Sequence, residues 1–121
     1  MLKMATESRN IKPSGLADFL ASRPFSVVHL DAEWNGQRLP VQQRIDLLVE
    51  KHEDTSFGYI DVDEHQDYAR SINLGNVPTC LYYRGLSLVA TVVGMKQDVE
   101  GNLQIIRDGG TPDSKNMLSR E

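Results

Sequence analysis

The stretch Phe25-Ser26-Val27-Val28-His29-Leu30, running on into Asp31-Ala32-Glu33-Trp34-Asn35-Gly36-Gln37-Arg38, decides the fold. Its first six residues are a compact run rich in branched side chains and bounded by Pro24 and Asp31, the form of a strand buried on both faces. From Leu39 to His52, apolar residues fall at Leu39, Ile45, Leu48 and Val49, while Gln42, Gln43, Arg44, Asp46, Glu50 and Lys51 lie mostly off that stripe. That spacing predicts an amphipathic helix. Asn35 belongs to the residue types that cap helix N-termini best and stands where this helix would begin. Pro40 allows a later start near Leu39, with Gln37 and Arg38 left in a loop.

Working outward, Leu16, Phe19 and Leu20 recur at helical spacing after Pro13 and Ser14, predicting a short helix to about Ser22. Downstream, Phe57 to Val62 reads as a strand, and Tyr68, Ala69 and Ile72 as a short helix closing near Asn73 to Gly75. Thr79–Tyr83 and Leu88–Val93 are two strands separated by a loop short enough for an antiparallel hairpin. A last helix carries Leu103 and Ile106 and is weakened by Gly101. Strands joined through helices want parallel pairing and a hairpin demands antiparallel pairing, so the expected fold is a three-layer α/β/α sandwich with a mixed central sheet.

The chain has 121 residues, 40% hydrophobic and 25% charged, which suits one globular domain. The domain is expected over residues 1–108. Residues 109–121, rich in turn formers and charges with only Met117 and Leu118 to pack, are expected to be a flexible tail. A net charge of -4 without a stripe of Lys or Arg makes nucleic acid a poor partner. No stretch approaches the roughly 20 apolar residues that cross a bilayer, and Met1 to Glu7 lacks an apolar signal core, so no membrane partner and a cytoplasmic address are expected. The single cysteine, Cys80, cannot form an intrachain disulfide, a paired-cysteine zinc site or a dithiol couple.

Three features together resemble thioredoxins over roughly Leu16 to Ile106. The strand ending at Leu30 leads into Ala32-Glu33-Trp34-Asn35-Gly36-Gln37-Arg38, similar to the family's tryptophan followed by Cys-Gly-Pro-Cys. Val77-Pro78-Thr79 resembles the cis-proline motif, and Val93-Gly94 the glycine after the last strand; the spacing from Trp34 to Pro78 agrees with the family to about a residue. Against that pattern the two cysteine positions hold Asn35 and Arg38, the motif proline is Gln37, and the family's buried acid is His29. Disulfide exchange needs an attacking thiolate and a resolving sulfur, and neither an amide nor a guanidinium supplies one.

The remaining chemistry-bearing residues read mainly as structure. Cys80, inside a central strand, is expected to be a small buried hydrophobe; as a candidate reactive thiol it would need exposure and a lowered pKa. Asp61, Asp63, Glu64, His65 and Asp67 cluster, but an EF-hand frame counted from Asp61 puts Gln66 and Ile72 where glycine and an acid are needed. A solvated strand end with Asp63 capping the next helix is the expectation, and no metal or cofactor is assigned. His29, His52 and His65 lie in different elements, and His29 reads as a satisfied core histidine.

The resemblance implies a groove formed by Trp34, Asn35, Gly36, Gln37, Arg38, Val77, Pro78, Gly94 and Met95, open to strand addition by an extended peptide. The leading expectation is a redox-inactive thioredoxin-fold adaptor or chaperone-like module whose partner is a protein or extended peptide. One alternative is a monothiol redox protein using Cys80 with glutathione or a partner thiol. Another is a structural subunit or homodimer; the sequence does not fix the oligomeric state.

Overall fold

The computed structural model describes residues 9–36 and 38–113, so Gln37 and the tail beyond Asp113 lie outside the described residues. The elements run β1 (Arg9–Asn10), a 3-10 turn (Pro13–Gly15), α1 (Leu16–Ala21), β2 (Phe25–Asp31), α2 (Arg38–Val49), β3 (Thr55–Asp61), α3 (Gln66–Ser71), β4 (Thr79–Arg84), β5 (Ser87–Val93) and α4 (Val99–Arg107). The five strands lie in the order β1-β3-β2-β4-β5. β1, β3 and β2 are parallel, while β4 runs antiparallel to β2 and to β5. The expected mixed sandwich is therefore the fold, with one strand more than expected: β1 has two residues and no readable period.

β2 is central, and its residues from Ser26 to Asp31 are all buried. Its apolar residues Val27, Val28 and Leu30 suit a strand enclosed on both edges and both faces, whereas Ser26, His29 and Asp31 are buried polar residues. Two apolar clusters fill the layers. One centres on Val27, Ile45, Cys80 and Tyr82 with Leu103 and Ile106 of α4. The other joins Phe19 and Leu20 to Val28, Leu30, Ile60 and Leu81.

Several local expectations are corrected. α2 begins at Arg38, which places Pro40 in the first turn, where its missing N–H costs no helical bond. Val41 joins Ile45, Leu48 and Val49 on the buried face, whereas Leu39 is exposed. The Asn35 side-chain amide donates backward through Nδ2 to Asp31 Oδ1 over 2.8 Å. Asp61, not Asp63, closes the turn before α3, accepting from the N–H groups of Asp63 and Glu64. Gly101 admits a cap: its N–H donates to Asp98 Oδ1 over 3.0 Å, and a Cβ at that position would run into the Asp98 carboxylate. After α4 the chain stays tied down as far as Gly110, whose N–H donates to Ile105 O and whose carbonyl accepts from Arg84.

Candidate functional site

At the carboxyl end of β2 the chain makes two tight turns, Asn35 N–H donating to Ala32 O and Arg38 N–H to Asn35 O, before α2 begins. The turns push Trp34 outward, where it is 69% exposed. Facing it is the segment that enters β4. Trp34, Asn35, Leu74, Gly75, Asn76 and Val77 line one open cavity of about 350 Å³. The Val77–Pro78 peptide is cis. Gly94, at a φ of 128° that side chains rarely tolerate, donates its N–H to Pro78 O over 2.9 Å and so joins the next loop to the same edge. No backbone hydrogen bond engages Val77 among the described residues.

The structure thus brings together Trp34, Asn35, Val77, Pro78 and Gly94 of the expected groove. Gly36 sits on the exposed turn beside them, and Gln37 is outside the described residues. Met95 packs against the α2/α4 cluster instead, its carbonyl accepting from Arg44. Arg38 also turns away, setting its guanidinium 5.6 Å from the centroid of the Tyr59 ring. Leu74, Gly75 and Asn76 were not expected. They precede Pro78 and carry no chemical mark in the sequence, and only the fold shows that they lie across from Trp34.

Gln97 fixes the glycine loop from inside. Fully buried, it donates through Nε2 to Val92 O and Gly94 O, and its Oε1 accepts from the Tyr82 hydroxyl over 2.6 Å. Asn102 of α4 donates in turn to that hydroxyl.

Beneath the turn lies a polar chain. His29 and Asp31 alternate on β2 and point to the same face, so both meet α2. His29 Nδ1 is 2.9 Å from Gln42 Oε1, and Gln42 Nε2 donates to Asp46 Oδ1. On the other side of the ring, His29 Nε2 lies 2.9 Å from Asp31 Oδ2, so both ring nitrogens have a polar partner. Asp31 Oδ1 accepts from Ala32 N–H and from Asn35. Burial alone would push the Asp31 carboxyl up, but the hydrogen bonds from His29, Asn35 and Ala32 outweigh it and hold the group below its ordinary value. His29 is accordingly the satisfied core histidine expected.

Cys80 is paired in register with His29 and Val92 and has no exposed surface. Desolvation pushes its thiol up to about 12, and the Arg44 charge opposes this only in part. A buried, protonated sulfur is neither a nucleophile nor a partner for glutathione, so the candidate reactive thiol is corrected to a core residue. Among the described residues no group of three or more His, Cys, Asp or Glu is placed to hold a metal, and no helix is long and apolar enough to cross a membrane.

No protein-family model matches the chain. Among curated proteins it is 32% identical to thioredoxin-2 of Saccharomyces cerevisiae over 64% of this chain and 79% of that protein. It is 29% identical to thioredoxin H2 of Arabidopsis thaliana, over 64% of this chain and 58% of that one. Among solved structures, a mutant thioredoxin from Halobacterium salinarum superposes with a TM-score of 0.76 at 23% identity, covering 93% of this chain and 99% of its own. Thioredoxin f of spinach chloroplast gives 0.73 at 18%, over 87% and 88%. These superpositions carry the fold, and the yeast relative carries the kinship. The chain belongs to the thioredoxin family, as a member with Asn35 and Arg38 at the two motif positions that the resemblance assigns to cysteine.

Proposed function

We propose that this protein is a redox-inactive member of its family that binds an extended segment of a partner protein, in the cytoplasm, as an adaptor or chaperone-like module. The observation that carries the reading is the pairing of an exposed indole with an unengaged backbone: Trp34 is 69% exposed and faces Val77, which makes no backbone hydrogen bond among the described residues. An extended peptide laid along Val77 would gain main-chain hydrogen bonds while Trp34 covers one of its side chains, the chemistry of strand addition. Among the described residues of the site none offers a nucleophile: Asn35 is tied to Asp31, and Cys80 is sealed in the core.

Trp34 is the only tryptophan in the chain, so its emission reports directly on the groove. The test is to screen an array of extended peptides for a saturable change in that emission, and then to measure the best binder against Trp34→Ala by calorimetry. Loss of roughly tenfold or more in affinity, with an unchanged melting temperature, supports the reading. Equal binding by the variant rejects it, and self-association that survives the substitution would point to a structural subunit.

A further inference from the structure

A second crevice opens on the other side of the turn, at the carboxyl ends of the three parallel strands. Asn10 of β1, Glu33 just past β2, and Tyr59 and Asp61 of β3 all reach it, closed on one side by Arg38. In open α/β sheets this end of parallel strands is where small ligands settle. Its volume of about 340 Å³ falls inside the roughly 300–1,000 Å³ of small-molecule sites.

Two residues that line the crevice carry an unsatisfied polar atom. The Tyr59 hydroxyl is buried on a residue only 8% exposed, and neither it nor Arg38 Nε has a hydrogen-bond partner among the described residues. Buried polar atoms without partners are rare, and each calls for an explanation. The phenol stays protonated, since desolvation and then the Asp61 charge raise it, so it can donate. Arg38 Nε can only donate. Two donors on residues that line one crevice ask for an oxygen acceptor. The rim asks for the opposite charge: Glu33, Asp61 and Glu64 set three carboxylates against Lys12 and Arg38. A multiply charged anion would meet repulsion there, whereas an ammonium would be attracted.

We propose that this crevice binds a small zwitterion of the α-amino-acid type, its carboxylate on the Tyr59 hydroxyl and Arg38 Nε and its ammonium against the acidic rim. The site is separate from the groove at Trp34, and neither reading needs the other. It also gives Arg38 a task at a position the resemblance assigns to a cysteine.

The experiment is ligand-observed NMR of the full chain with each of the common L-α-amino acids up to about 10 mM, repeated with Tyr59→Phe and Glu64→Gln. The expected result is saturable binding of at least one amino acid, weakened roughly tenfold by Tyr59→Phe, which removes one donor and keeps the ring. Glu64→Gln, on an exposed residue, should weaken the same amino acid while leaving acetate unaffected. The melting temperature of ligand-free Tyr59→Phe should not fall, because the hydroxyl it loses is unpaired. Silence from every amino acid overturns the proposal. Undiminished binding by Tyr59→Phe overturns it too, as does inorganic phosphate displacing the amino acid and binding more tightly.

Discussion

His29 Nε2 stands 2.9 Å from Asp31 Oδ2, and neither side chain has any exposed surface. Both also bond onward, His29 to Gln42 and Asp31 to Ala32 and Asn35, so a buried pair is embedded in a satisfied chain. Such a pair is weak as a source of stability when compared with apolar residues, but removing one member leaves the other uncompensated.

His29→Ala should therefore lower the unfolding free energy by about 3–5 kcal/mol, read from urea denaturation at neutral pH. Asp31→Asn should change the acid limb as well. The Asp31 carboxyl is held below its ordinary value in the folded state, so its contribution is complete above roughly pH 4 and is lost as pH falls through the lower folded value. The Asn variant should be less stable at neutral pH and lose less on acidification; an acid limb identical to wild type would refute this.

Arg107 grips Asp54 through two of its three guanidinium nitrogens, Nε to Oδ2 at 2.9 Å and a terminal nitrogen to Oδ1 at 2.7 Å. The Arg107 hydrogen bonds hold the Asp54 carboxyl down to about 2. Its folded value lies below the unfolded one, so the stability it confers is present above about pH 4 and disappears between roughly 4 and 2. Because the pair is partly in solvent, Asp54→Asn should cost only about 0.5–1 kcal/mol at neutral pH, and less in molar salt. Thermal melts at two salt concentrations decide it.

With its thiol pushed up to about 12, Cys80 should not react with an aromatic disulfide reagent at pH 8 until the protein unfolds. The rate in denaturant should exceed the native rate by a factor on the order of 100 or more. Rapid native labelling would restore the monothiol alternative.

Gly58 lies where β3 passes beneath α1, and a Cβ there would come within 2.8 Å of Phe19 Cζ and 3.1 Å of Ile11 Cδ1. Both contacts belong to the cluster that holds α1 on the sheet. Gly58→Ala should destabilise by about 1–3 kcal/mol through overpacking, and adding Phe19→Leu should recover part of that loss.

The sandwich was legible because β2, β3 and β4 are buried along nearly their whole length and α2 and α4 each turn a set of apolar residues inward. Phe25 to Leu30 could hardly be anything but a central strand. Legibility failed where tertiary contacts choose between equivalent local options. Leu39 and Val41 are both apolar near a helix start, and only the docking angle of α2 buries the second. Asn35 carries both a cap's oxygen and a donor's nitrogen, and only the fold shows that the nitrogen reaches back to Asp31. Gly101 looked like a defect until Asp98 was seen to occupy its missing side chain's space. Tyr59 drew no attention in the sequence, because its orphaned hydroxyl exists only by virtue of the parallel register that sets it beside His29 and under Arg38.

Gln97 fastens the Gly94 loop to Tyr82, and through it to α4, so the wall of the groove next to Pro78 has little freedom left to lose. A partner strand would then meet a surface already in its bound shape. Encounter rates should vary little from one segment to another, and discrimination among them should appear as differences in how long each one stays.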